Sequence, residues 1–295
     1  MTDAALLLDK AVGLTSNAAL QQAKRIFGAA KAGHAGTLDP LASGLLVVLF
    51  GEATKFAGPL LDADKEYLAT LKLGETTDTG DAEGRLLTER PVDVSEMQVA
   101  AALEPFRGQI EQLPPMHSAL KHDGVPLYKL ARKGKTVERT PRRIEIRELA
   151  LVSYEPPLAR LRVRCSKGTY IRVLAEDIGA ALGTGAHLSE LRRTRSGRFS
   201  VDDAATVDAL SALGAGERAK RLMALGELLG EFPRAELDAS AEARLRNGQT
   251  LKISGLDEGL CAVYGRDGRV IGLGRAEKGG TLRPLRLTQA ADKHR

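Results

Sequence analysis

The chain has 295 residues, 43% hydrophobic and 27% charged, a balance that supports one large folded domain or two and excludes a disordered chain. Lys+Arg 43 against Asp+Glu 38 leave a net charge of +5, compatible with nucleic acid as a partner without establishing it. The two cysteines, Cys165 and Cys261, form no C-x-x-C pair, and the apolar stretch 4–8 is too short for a secretory signal, so a soluble, cytoplasmic protein without a membrane span is expected.

In chain order, residues 6–8 read as a first strand that ends in a turn at Gly13. Ser16 is a plausible helix N-cap, with Leu20, Ala23, Ile26 and Phe27 on the apolar face that follows. Residues 33–44, Gly33-His34-Ala35-Gly36-Thr37-Leu38-Asp39-Pro40-Leu41-Ala42-Ser43-Gly44, form a Gly-punctuated loop that feeds the apolar run 45–50. Pro40 keeps Asp39 out of the helical region, so the carboxylate is held on a stiff loop beside a core strand. Asp-Pro is also ordinary turn chemistry, and the local pattern alone leaves both readings open.

A second strand over 66–73 alternates through Tyr67, Ala69, Leu71 and Leu73, and the polar stretch 74–84 reads as a loop. Ser95 and Gln98 have the spacing of a capping box ahead of Val99, Leu103 and Phe106. Pro114-Pro115 breaks the chain, residues 127–132 (Leu127 to Arg132) resume a short helical pattern, and 142–151 look strand-like. Residues 160–166 put Leu161, Val163 and Cys165 on one face and Arg160, Arg162 and Arg164 on the other. A turn at 167–172 leads into a helix with Leu174, Ile178 and Leu182 as its stripe. The densest basic cluster follows, Arg192-Arg193-Thr194-Arg195-Ser196-Gly197-Arg198. Two further helices are expected from Val207, Leu210 and Leu213 and from Leu222, Leu225 and Leu229. Beyond Phe232-Pro233, short β-like runs at 251–253, 260–264 and 270–274 suggest a small β domain. The fold class is α+β, with a larger domain over 1–230 and a second, smaller one over 231–295.

The histidines His34, His117, His122, His187 and His294 show no metal-ligand spacing, and there is no phosphate-binding or dinucleotide-binding glycine motif. What remains is one well-placed carboxylate, several tyrosines and clustered arginines. These suit a reaction on a nucleobase: a charged aspartate attacks a carbon or steadies positive charge, Tyr and His stack on an extruded base, and arginines hold phosphates.

Residues 33–44 resemble the G-H-x-G-x-L-D-P-x-A-x-G signature of the TruB family of tRNA pseudouridine synthases. Further similarity lies in Lys10 with Gly13-Leu14-Thr15-Ser16, in Thr77-Asp78-Thr79-Gly80-Asp81, in Pro114-Pro115-Met116-His117-Ser118-Ala119-Leu120-Lys121 and in Gly168-Thr169-Tyr170-Ile171-Arg172. Ala11 departs from the family, which usually has Pro there. The resemblance implies a catalytic domain on a mixed, mainly antiparallel sheet with flanking helices, plus a C-terminal β-rich PUA-like RNA-binding domain. It implies Asp39 as nucleophile, Tyr67 against the target base and in proton transfer, and Arg172 paired with Asp39. His34, Tyr170, Leu191 and Lys10 are the substrate-binding residues it implies. The expected reaction isomerises uridine to pseudouridine in the T loop of tRNA, at uridine-55, with no cofactor or metal and with a monomer that needs no protein partner. Two alternatives stay open: another RNA as substrate of the same chemistry, and a module whose main work is tRNA folding.

Overall fold

The structure is a computed structural model that describes residues 3–289, apart from Ala119, Arg132 and the side chain of Lys121. Ala119, Arg132 and His294, named above, therefore lie outside the described residues.

The larger sheet is built on β1 (Ala4–Lys10), β2 (Ala32–Ala35), β3 (Ala42–Phe50), β4 (Lys65–Leu73), β5 (Gly108–Gln112), β6 (Arg142–Glu155), β7 (Leu158–Cys165) and β8 (Ala186–Ser196). Their order across the sheet is β1-β3-β8-β4-β7-β6-β5, with β2 paired to β3 and the short strand Ala205–Thr206 beside β1. Most neighbours are antiparallel, while β3 and β8 run parallel, which makes the sheet mixed and mainly antiparallel. Helices α1 (Ser16–Ile26), α2 (Glu96–Ala102) and α3 (Ile171–Ala181) flank it.

The apolar run in β3 is continuous because both its faces are covered. Leu45, Val47 and Leu49 enter one core cluster, and Leu46, Val48 and Phe50 enter another against Leu20 and Ala23 of α1. Gly44 opens the strand at φ +100°, and a Cβ there would lie 2.3 Å from the Arg193 carbonyl oxygen. Only glycine lets β3 and β8 approach this closely. Ser95 and Gln98 do form the expected capping box at the start of α2.

Several elements differ from the sequence reading. The N-cap of α1 is Thr15, whose hydroxyl accepts from Ala18 N at 3.1 Å, and Ser16 is buried inside the first turn. Residues 33–35 belong to β2, so the loop proper spans 36–41. The stretch read as a loop after β4 contains a strand, Glu75–Thr77, paired with Leu86–Glu89. Leu222–Ala224 is a strand on the outer side of β1 rather than part of a helix, because its backbone completes the edge of that strand.

The C-terminal region is a separate five-stranded sheet with order β9-β11-β12-β13-β10: β9 (Arg234–Leu237), β10 (Leu251–Lys252), β11 (Gly259–Gly265), β12 (Val270–Glu277) and β13 (Thr281–Leu287). Helix α4 (Ala239–Arg246), absent from the sequence reading, packs on it. This sheet is no loose appendage. Ala262, Tyr264 and Leu273 share a core cluster with Leu7, Val47 and Leu49, and Lys55 donates to Leu287 O at 3.0 Å.

Candidate active site

The loop 36–41 between β2 and β3 carries Asp39 and is fixed by contacts from distant parts of the chain. Ser16 spans the backbone of Leu38, accepting from its N at 2.7 Å and donating to its O at 3.0 Å. Gly13 N donates to Pro40 O at 2.8 Å. Lys10 is wholly buried, and its Nζ donates to Ala11 O at 2.9 Å, Leu14 O at 2.6 Å and Pro40 O at 3.5 Å. Burial pushes the Lys10 ammonium down to about 8, although Asp39 and Glu83 pull it back upward.

The structure places Lys10, expected to bind substrate, behind the Asp39 loop rather than on the wall of either cavity. Its charge is consumed by backbone carbonyls and faces no open surface, so it ties the turn after β1 to the Asp39 loop. Lys10→Met leaves those buried acceptors without a donor and is expected to cost about 1–3 kcal/mol of stability. RNA affinity should stay unchanged. Urea unfolding and a binding titration check both; weakened binding at wild-type stability would instead support the substrate contact expected of Lys10.

Arg172 stands in the first turn of α3, where the helix dipole disfavours a cation. Two aspartates offset that penalty. Nε lies 3.0 Å from Asp39 Oδ2 and 3.5 Å from Asp81 Oδ2. Nη1 donates to Thr79 O at 3.0 Å and Nη2 to His117 O at 2.7 Å, so the guanidinium is held on all sides and only 5% exposed. Asp39 is 43% exposed and faces open space, whereas Asp81 is 6% exposed and also accepts from Thr79 Oγ1 at 2.6 Å. Glu83, nearby, has its carboxyl pushed up by burial and by Asp81 and Asp39.

Asp39 and Arg172 line two contiguous cavities. One, about 260 Å³, is walled by Tyr67, Tyr170, Leu191, Arg193 and Lys65. That is below the roughly 300–1,000 Å³ of a drug-sized site and suits one planar base. The other, about 560 Å³, is lined by His34, Asn17, Asp81, Glu83 and Tyr128. Thr37, Leu38, His117 and Ser118 border both.

The structure thus brings together Asp39, Tyr67, Arg172, Tyr170 and Leu191 around one cavity and puts His34 on the far side of Asp39. His34 is half-buried on β2, its Nδ1 is buried without a hydrogen-bond partner, and burial together with Arg193 lowers its pKa, so the ring is neutral at pH 7. Tyr67 and Tyr170 are both pushed up, chiefly by burial, and stay phenols. Three contributors had no role in the sequence reading: Asp81, Gln112 and Arg193. Gln112 clasps the backbone of Tyr170, donating to its O at 3.1 Å and accepting from its N at 2.8 Å. Among the described residues no group of three or more His, Cys, Asp or Glu could hold a metal ion, and no helix is long and apolar enough to cross a membrane.

Comparisons with known proteins agree with this geometry. Residues 24–171 match the TruB family pseudouridylate synthase N-terminal domain, 172–230 the tRNA pseudouridylate synthase B C-terminal domain, and 233–288 the C-terminal domain of pseudouridine synthase II TruB. A tRNA pseudouridine synthase B of Burkholderia mallei is 55% identical over 292 residues, covering 97% of this chain and 96% of that one. The protein of the same name from Aromatoleum aromaticum is 53% identical over 287 residues, covering 97% and 93%. Among solved structures, a chain of the Cbf5-Nop10-Gar1 complex superposes with TM-score 0.73 at 28% identity, covering 97% of this chain and 83% of that one. A chain of an H/ACA RNP bound to a substrate RNA containing 2'-deoxyuridine gives 0.73 at 27% identity, covering 98% and 86%. With relatives this similar along nearly its whole length, and an aspartate on the Leu-Asp-Pro loop facing a base-sized cavity, the chain belongs to the TruB family of pseudouridine synthases, and is an isomerase.

Proposed function

We propose that this protein converts uridine-55 in the T loop of tRNA to pseudouridine, working in the cytoplasm. The observation that carries this reading is the placement of Asp39: half-open, held through Oδ2 by a buried arginine, at the border of a cavity walled by two tyrosines and a leucine. In this reading the uridine flips into the smaller cavity and His34, from the larger one, fills the space it leaves. Asp39 promotes cleavage of the N1–C1′ bond; the uracil turns between Tyr67 and Leu191, and C5 bonds to C1′. The C5 proton then leaves, with Tyr67 beside it, and N1 takes up a proton, so the product is an isomer of the substrate. No electron, phosphate or external group is exchanged, and the chemistry calls for no cofactor. The C-terminal sheet serves, in this proposal, as a PUA-like RNA-binding domain.

The test is tritium release from a T-stem-loop transcript labelled at C5 of uridine, followed by mapping of the modified position. Release with pseudouridine at position 55 supports the proposal. Release at another position, or only from a different RNA, would reassign the substrate within the family.

Phosphate contacts displace counterions, so affinity for tRNA is expected to fall steeply with salt. A protein making six to ten such contacts loses about 10³–10⁵ in affinity between roughly 50 and 200 mM. A nearly flat profile in a filter-binding titration would rule out a large footprint on the RNA backbone.

A further inference from the structure

Arg193 is 1% exposed, and among the described residues no carboxylate pairs with it. Its fork is spent on the catalytic hairpin instead. Nε donates to Leu45 O at 2.7 Å, Nη2 to Gly36 O at 3.1 Å and Nη1 to Thr37 O at 3.5 Å. The residue sits on β8 directly across from Tyr67 on β4 and from Gly44 on β3; both side chains line the smaller cavity, where the guanidinium works against the upward push that burial gives the Tyr67 phenol. Two glycines leave room for it: a Cβ on Gly36 would lie 3.3 Å from Nη1, and one on Gly44 would strike the Arg193 backbone. A buried cation compensated by carbonyls rather than by a carboxylate is costly, and truncating it strands every acceptor it serves.

We infer that Arg193 is the positioning residue for Tyr67: its guanidinium donates to the phenol oxygen and ties it to the Asp39 loop, so the single phenolic O–H is directed into the base cavity. A tyrosine has one proton to give, and when its oxygen accepts from Arg193 that proton is left for the substrate side. Gly36 and Thr37 lie just ahead of Asp39 in the chain, so one guanidinium sets the nucleophile's loop and the phenol in a single frame. This inference rests on the proposed reaction only for its kinetic consequence, and the contact itself can be tested without turnover.

Charged and titratable groups face Tyr67 from every side: Arg193 on β8, Cys165 on β7, Asp39 on the loop, Lys65 on its own strand, and Tyr170 and Arg172 across the cavity. Tyrosine ring-carbon NMR of the free protein, with the Tyr67 signal assigned by Tyr67→Phe, reads the phenol directly. In Arg193→Gln its titration should move up by about one unit, because the neighbouring cation is gone and the shorter amide does not replace it. If that variant does not fold, Arg193→Lys keeps a charge without the fork and should move it the same way by less. An unmoved titration in a folded variant overturns the inference. In the tritium assay, Arg193→Lys should lower kcat about tenfold or more with KM within about twofold, and change kcat little when Tyr67 is already Phe. An equal loss in both backgrounds would mean Arg193 acts apart from Tyr67. If wild type released no tritium, the proposed substrate would fail while the NMR result still decided the contact.

Discussion

Asp39→Asn is expected to abolish tritium release from the labelled T-stem-loop while leaving the fold and RNA binding intact. The substitution is isosteric and removes only the charge. Arg172 does not become an orphan, since Asp81 remains 3.5 Å from its Nε and the carbonyls of Thr79 and His117 keep both Nη groups. Ser16, Gly13 and Lys10 hold the loop through backbone atoms that the change does not touch. The loss should be the loss of the reacting group itself, about 10⁴–10⁶ in kcat by analogy with other enzymes stripped of their nucleophile. Affinity should be unchanged or slightly higher, because a half-exposed negative charge facing a polyanion has gone. Single-turnover tritium release, a binding titration and a thermal melt decide it. A variant that kept even about a tenth of the wild-type rate would exclude Asp39 as the nucleophile.

The Asp39 loop was readable because its cause is local. Leu38-Asp39-Pro40 between glycines fixes backbone geometry within a few residues, and the run 45–50 marks the buried strand behind it. What supports the loop was hidden, because each support comes from far along the chain. Thr15 and Ser16 are equally competent caps; Ser16 is taken from that role by Leu38, 22 positions away. A lysine at the end of a first strand gives no sign of its burial until the fold closes three carbonyls over it, as happens to Lys10. The basic cluster is divided the same way. Residues 186–196 form a strand, so Leu191 and Arg193 point inward while Arg192 pairs with Asp9 at 2.7 Å and Arg195 is exposed. The alternation holds only as far as Arg193, because a register shift between Arg193 and Arg195 turns Arg195 outward and Ser196 inward, and no sequence period marks that irregularity. Leu222–Ala224 shows the opposite failure: a short apolar run does not declare helix or strand, and pairing with β1 decides it.

Arg172→Ala should cost more in rate than in affinity, and the reason lies in what it leaves behind. Asp39 and Asp81 converge on one nitrogen, with Glu83 close enough that both raise its carboxyl. Without the cation these carboxylates repel, Asp81 is stranded at 6% exposure, and the carbonyls of Thr79 and His117 lose their donors. Breaking a buried pair typically costs about 3–5 kcal/mol. Asp39 is 43% exposed, so solvent screens part of its share and the lower end applies. Converted to rate, about 3 kcal/mol is roughly two orders of magnitude. Binding should change far less, since Arg172 is buried behind Asp39 and its donors are already committed to protein atoms. Arg172→Lys separates charge from shape. An ammonium meets the aspartates but cannot reach His117 and Thr79 in the same pose, so its rate should fall between alanine and wild type. Single-turnover rates alongside dissociation constants for the same RNA read both quantities. An unchanged rate in Arg172→Ala would remove Arg172 from the active site, and equal losses in rate and affinity would make it a general support of the RNA-bound state. A lysine variant as impaired as alanine would show that geometry, rather than charge, is what Asp39 requires of its partner.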